Sequence, residues 1–480
     1  MTAWREFFKI NMYFLITAFL ILFAYLSWRN LLLATAFLVA FLPTYLIRFS
    51  VGPIPMTLLE GMILVLFGVW AIKGVIADLS LRAQRSGEKQ SPEVRGLLRR
   101  SLRSLLAMTP WNWLILLWLI IATVSVFVSP NLRGAAGSWK AYFIEPILFL
   151  IVFLSVIKTK KDLELIFYAL GFSAIYISLF AIYQKFTGFA IPYPWQEEAV
   201  RRVTSFYRFP NAVGLYLAPI VVLYIGWFLE KLSSKDYCSS VAVAESRTFF
   251  SNKLKFNFSI NSKIKFLFFQ LTVILLSILS IIFAESEGAY AGILAGCFFL
   301  GIITKKLRWS TLIFGAIFAI IILSVPQLRN YTWRQISFQE DSGKVRTQMW
   351  QETWEMLKDR PILGAGLAGY QETFDAYHKA RHIEIYLYPH NLFLNFWSEL
   401  GLSGLVVYLI IVTTFFYQLL RKRDSQLKIT LCATMIALLV HGLVDAPYLK
   451  NDLSILFWVI IGSSILLTSK EKICQKHNPT

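Results

Sequence analysis

The sequence predicts an all-α, polytopic transmembrane helical bundle of about 12–13 spans with one large extracytoplasmic loop. Three observations carry this expectation. The 480 residues are 57% hydrophobic and only 16% charged, against about 45–50% and about 25% in soluble domains. The apolar sequence is divided into blocks of roughly 17–22 residues, the length that crosses a bilayer at about 1.5 Å per residue. Lysines and arginines gather in loops between alternate blocks, the asymmetry of the positive-inside rule.

That distribution also excludes nucleic acid as the reason for a formal charge of +19, because the cations do not share a soluble face. Cys297 and Cys432 lie inside apolar blocks, and Cys238 and Cys474 fall in loops assigned to the cytoplasm. No disulfide framework follows. The stretch from Asn11 to Trp28 has no small-residue cleavage site behind it and reads as a retained span.

In chain order the spans are expected near 11–28, 31–47, 56–76, 111–128, 142–157, 163–184, 211–230, 266–284, 288–304, 309–325, 403–420, 428–446 and 452–468. Only Arg29 and Asn30 separate the first two, which leaves their count open. The basic clusters at Arg82–Arg103, Lys158–Lys161, Lys231–Lys265, Lys305–Arg308, Arg421–Arg423 and Lys470–Lys476 all fall on one side of this arrangement, the cytoplasmic one. Between Val94 and Leu106, arginines and leucines alternate at helical spacing. This is either an amphipathic helix on the lipid surface or a solvated charged loop.

The organisation that follows is residues 1–325 as spans with an outer Arg-rich loop at 186–210, 326–390 as the large extracytoplasmic catalytic loop, and 391–480 as the C-terminal spans and cytoplasmic tail. The 326–390 loop has too many aromatics and too little low complexity for disorder, and loops beyond about 12–15 residues are usually functional. An amphipathic helix is expected from about Lys344 to Leu357.

Four features on the outer side bear chemistry. Arg201, Arg202 and Arg208 violate the charge bias of their side. Guanidinium suits phosphate through permanent charge and bidentate bonding, although arginines there also meet lipid headgroups. Arg346 precedes Trp350 and Trp354 at helical spacing, an arrangement that fits a sugar platform or an interfacial aromatic belt. His390-Asn391 stands before an apolar stretch ending in Glu399, Gly401 and Gly404. A helix N-terminus and nearby arginines favour a neutral imidazole, the form a general base requires; a capping histidine is the alternative. Asp445 lies near the outer end of a span, where it is either functional or a cap. His378 and His382 have metal-helix spacing, but the frame around them lacks the rest of such a motif, and no metal or cofactor is expected. Gly364 and Gly366 follow no strand and mark a turn.

At His390 the chain resembles the O-antigen ligase and O-antigen polymerase superfamily. The resemblance lies in His390-Asn391, nine residues, then Gly401-Leu402-Ser403-Gly404. Arg202 to Ser205 with Pro210-Asn211, Arg346 with Trp350, Pro361 with Gly364 and Gly366, and His441 to Asp445 with Asn451 to Leu453 are similar to the family's other landmarks. One departure stands out: the family's Ser-Arg-Gly turn reads Ser286-Glu287-Gly288 here.

The resemblance implies a metal-independent, inverting glycan transfer at the outer face of a bacterial plasma membrane. The donor would be an undecaprenyl-diphosphate-linked glycan, and the acceptor a lipid, a glycan or a protein. It gives His390, Arg202 and Arg346 catalytic roles, with Arg201, Arg208, Asn391 and Trp350 contacting substrate. A repeat-unit polymerase and a protein O-oligosaccharyltransferase share this chemistry. A lipid-linked glycan transporter is the rival from another class, but its expected mid-membrane polar residues and internal repeat are not evident in the sequence.

Overall fold

The computed structural model describes residues 2–85, 110–233, 253–380, 384–422 and 425–476. The segment from Val94 to Leu106, together with Cys238 and His382, lies outside them.

The chain is a polytopic helical membrane protein. Helices α1 (Thr2–Arg29) and α2 (Leu31–Ala40) lead into a two-stranded antiparallel hairpin, β1 (Arg48–Val51) and β2 (Ile54–Thr57), followed by α3 (Leu58–Arg85). Then come α4 (Pro110–Val128), α5 (Leu132–Trp139) running through a π-turn into α6 (Glu145–Val156), α7 (Lys160–Thr187), α8 (Pro210–Ser233) and α9 (Lys253–Ala284). Helix α10 (Glu287–Ile303) and α11 (Arg308–Ser324) precede the long loop, which holds α12 (Pro326–Ile336), α13 (Asp341–Asp359) and α14 (Tyr370–Phe374). The chain finishes with α15 (Leu392–Leu420), α16 (Gln426–His441) and α17 (Asn451–Lys476).

Every apolar block becomes helical, and three of the shifts from the expected boundaries bear on the site or on the span count. Among the described residues nine spans are long and apolar enough to cross a membrane, while α2, α10 and α16 are shorter apolar helices. The second block stops at Ala40 because Pro43 falls in a 3₁₀ turn over Leu42–Leu46; proline lacks the N–H that an α-helix requires. The span expected from 403 begins eleven residues earlier, at Leu392, and is broken at Gly401. The one expected over 428–446 ends at His441, which leaves Asp445 in the connection to α17. The hairpin is a small addition to the all-α expectation. Helix α11 turns by 101° into the segment that begins at Pro326, and no residue of α11 is buried.

Small residues set the closest helix contacts. Gly288, Gly292 and Gly296 recur every four residues along α10, and a Cβ at Gly292 would lie 2.6 Å from the Ala437 carbonyl oxygen of α16. Where lipid replaces water, such stripes let backbones approach and gain van der Waals contact. This packing brings the first turn of α10 against the last turn of α16. A Cβ at Gly288 would meet the His441 ring at 2.5 Å. The connections 188–209, 285–286, 325–391 and 442–450 therefore gather at one end of the bundle, and Lys160, Lys231, Lys305 and Arg421 mark the other.

Candidate active site

The long loop is built from its own helices outward. Glu340 caps α13 by accepting from the Gly343 N–H, as an anionic cap at a helix N-terminus should. One face of α13 buries Met356 and Leu357 against Tyr370 and Phe374 of α14. Glu352 locks the far strand of the loop. It meets His378 Nδ1 at 2.9 Å and accepts from the N–H groups of Lys379 and Ala380 at 3.1 and 3.0 Å. Burial works against the Glu352 carboxylate, yet the bonds from Gln348, His378 and these backbone groups hold its carboxyl below the usual range. His378 is thus a buried structural partner of Glu352.

The glycines after Pro361 clip the loop to the bundle. Gly364 and Gly366 have φ of +66° and +80°, values open to glycine because it has no Cβ. The clip docks at the break in α15. Ala365 N–H donates to the Ser398 carbonyl at 2.7 Å, Leu402 N–H to Ile362 at 3.1 Å, and Ala368 N–H to the Glu399 carboxylate at 2.6 Å. Ser125 of α4 completes it, donating to the Glu399 carbonyl and accepting from Leu367 N–H at 3.0 Å. Gly401, with φ +71° and ψ −179°, is where the backbone of α15 opens to receive these partners.

His390 stands just ahead of α15. Asn391 caps that helix, accepting from Phe393 and Leu394 N–H at 3.0 Å each, and donates to the Leu443 carbonyl at 2.9 Å. Its side chain is committed to holding the segment. Leu392 N–H donates to the Gly442 carbonyl at 2.7 Å, which pins the start of α15 to the turn after α16. The result sets His390 Nδ1 3.5 Å from Asp445 Oδ1, within ion-pair reach but beyond hydrogen-bond distance. Asp445 is 2% exposed. Burial works to raise its carboxyl, but His390, then the charges of Lys450 and His441, hold it far below the usual carboxylate range. The rings of Tyr388 and Tyr386 flank the imidazole at 4.7 and 5.2 Å between centroids.

The arginines divide. The loop bearing Arg202 is plugged into the bundle by Gln184, whose Oε1 accepts from Thr204 and Ser205 N–H at 3.0 and 2.7 Å. Arg202 then caps α9: Nε donates to the Ala284 carbonyl at 3.0 Å and Nη2 to the Glu285 carbonyl at 3.0 Å. Nη2 also reaches Asn211 at 3.2 Å, and the guanidinium lies 4.9 Å over the Trp195 ring. Its Nη1 makes no bond among the described residues. Burial lowers its pKa, against the opposing pull of Glu285 and Glu287. Arg346, on α13, has its nearest carboxylate in Glu340 at 3.8 Å. Arg202 and Arg346 lie within electrostatic reach of one another. Glu287 projects beside them, with the Tyr331 hydroxyl at 3.5 Å.

Arg201 is turned onto the end of α7, donating to the Lys185 carbonyl at 3.1 Å, and Arg208 is exposed over Phe209. Neither is tied to the Arg202–Arg346 pair. Trp350 Nε1 donates to the Pro389 carbonyl at 2.8 Å, so its polar edge faces the histidine segment. Trp354 packs edge-on against Trp397. In the sequence Asp445 is either a cap or a functional group, and nothing there pairs it with His390. Trp195 and Glu340 stand out in no sequence pattern, although both act on near neighbours, Trp195 under Arg202 and Glu340 on Gly343 and Arg346.

Comparisons with known proteins agree with the resemblance read at His390. Residues 272–409 match the family model described as O-antigen ligase. That segment runs from α9 into α15, so it holds Arg346, Trp350, His390 and Asn391 while Arg202 and Asp445 fall outside it. A protein of Rickettsia conorii, provisionally described as a polysaccharide ligase, is 26% identical over 217 residues, 42% of this chain. The match spans half the length of that relative.

Proposed function

We propose that this chain transfers a glycan from an undecaprenyl diphosphate to an acceptor hydroxyl, with His390 as general base and Arg202 and Arg346 holding the diphosphate. The observation that carries the reading is the approach of His390 Nδ1 to within 3.5 Å of the buried Asp445 carboxylate, with Arg346 within electrostatic reach of His441 and of Arg202. The O-antigen ligase match over 272–409 supports the reaction class. The cationic clusters at the opposite end of the bundle support an active site on the outer face of a bacterial plasma membrane.

Asp445 faces Nδ1, so it favours the tautomer that keeps the proton there and leaves the Nε2 lone pair free. Nε2 takes the proton of the acceptor hydroxyl as its oxygen attacks the anomeric carbon. The bond from that carbon to the diphosphate oxygen breaks, and the lipid diphosphate departs with its electron pair. Arg346 and the free edge of Arg202 meet the charge that develops on the leaving oxygens. The ionised Asp445 stabilises the imidazolium formed in the same step. Attack opposite the leaving group inverts the anomeric configuration. Proton abstraction by imidazole and charge stabilisation by guanidinium supply the chemistry without a metal.

The test uses the full chain in lipid nanodiscs with an undecaprenyl-diphosphate glycan, scored for product on lipid, protein or another repeat unit. Transfer by the native chain is expected to survive a chelator and to be lost in His390→Ala. Undiminished transfer by a properly inserted His390→Ala variant would remove His390 from the reaction. The anchor and size of the product choose among ligase, polymerase and protein glycosyltransferase.

A further inference from the structure

We propose that Trp350 is a positioning residue for His390 and not a platform for sugar, an inference that rests on the assignment of His390 as the base. His390 has φ of +45°, a left-handed conformation that residues with a Cβ adopt at a cost and keep only where their surroundings impose it. The C-terminal side of the residue is held by Asn391 on the Leu443 carbonyl and by Leu392 on the Gly442 carbonyl. The N-terminal side is held from α13: the Trp350 indole N–H donates to the Pro389 carbonyl at 2.8 Å. Phe338 meets the indole edge-to-face at 5.2 Å and fixes its plane. With the indole N–H committed to the protein, Trp350 has lost the polar handle that an aromatic platform would offer a sugar hydroxyl.

Arg346 lies four residues earlier on the same face of α13. One rigid helix thus sets both the arginine proposed for the diphosphate and, through Trp350 and Pro389, the ring proposed as base. Loosening the indole bond leaves the donor site in place while letting the imidazole wander from its attack position. Such a defect lowers turnover and spares binding.

The test compares the native chain with Trp350→Phe, which keeps the ring and deletes the N–H, in nanodiscs with the undecaprenyl-diphosphate glycan. The expected result is a fall in kcat on the order of ten- to a hundredfold with the donor KM unchanged. Donor affinity, measured separately in the inactive His390→Ala background, is expected to be the same with and without Trp350→Phe. A raised KM with kcat retained, weaker donor binding in that background, or full activity of Trp350→Phe overturns the assignment. If Trp350→Phe does not fold, Phe338→Leu, which frees the indole from its other side, carries the same expectations. Retained transfer by His390→Ala alone strikes the assignment of the base, which distinguishes that failure from a failure of the role of Trp350.

Discussion

Replacing Gly401 by alanine tests whether the glycine pair after His390 serves the docking of the long loop. The native φ of +71° with ψ of −179° belongs to a region open essentially to glycine alone, and holding another residue there costs about 1–3 kcal/mol. A Cβ would overlap the Ile362 carbonyl oxygen and stand 2.8 Å from its carbon and 2.9 Å from the Leu363 Cα. Against the 3.4 Å at which ordinary contact begins, the shortfall at that carbon is 3.4 − 2.8 = 0.6 Å. Backbone atoms cannot rotate away as a side-chain tip can, so overpacking adds about 1–3 kcal/mol. The sum, about 2–6 kcal/mol, falls on the bonds joining Ile362, Ala365 and Ala368 to α15. Limited proteolysis of the purified chain is expected to show faster cleavage near residues 360–370, with a lower Tm and weaker glycan transfer. Gly137→Ala is the control, because a Cβ there meets nothing within 4 Å. Native protease resistance and an unchanged Tm in Gly401→Ala would refute the docking argument.

Further predictions concern the charged groups. Asp445→Asn preserves shape but removes the carboxylate facing His390 Nδ1, so kcat should fall roughly a hundred- to ten-thousandfold with the donor KM little changed; a raised KM with native kcat would place Asp445 in donor binding instead. Arg202→Lys cannot reproduce the fork that reaches Ala284, Glu285 and Asn211 at once, so lysine should not rescue transfer, and native kcat/KM in this variant would refute the role. Glu352 has its carboxyl held below the ordinary value of 4.5. A depressed folded pKa contributes stability that is fully present above the ordinary value and disappears as pH falls through the folded one. The Tm difference between the native chain and Glu352→Gln should therefore be constant near neutrality and shrink below about pH 4.5; a difference that grows with acidification would contradict the lock on His378.

Much of this architecture was legible because span length, apolar composition and loop charge are local properties. Each block carries its own demand for helix, since lipid offers no partner for an unpaired backbone. His390 was legible as a candidate base through the resemblance of its stretch, from His390 to Gly401 and Gly404, to the superfamily's motif; its position alone fits a capping histidine as well. Boundaries were less so: the start of α15 at Leu392 depends on the Asn391 cap, which is local, and on the bond to Gly442, which is seen only in the fold. Gly364 and Gly366 mark turns in the sequence and take left-handed turn conformations in the structure, but nothing local says that they dock into α15.

The sequence by itself determined the class of protein, the order of its helices and the chemical types gathered in two of its connections. Tertiary structure decided which of them meet. It brought Asp445 to His390 across 55 residues and Arg202 to the end of α9 across more than 80, turned Arg201 away, and assigned the Trp350 N–H to Pro389. The physical reason is range. Hydrophobic periodicity and helix capping act over a few residues, whereas pairing distant charges depends on helix contacts such as the close approach of α10 to α16 at Gly288 and Gly292.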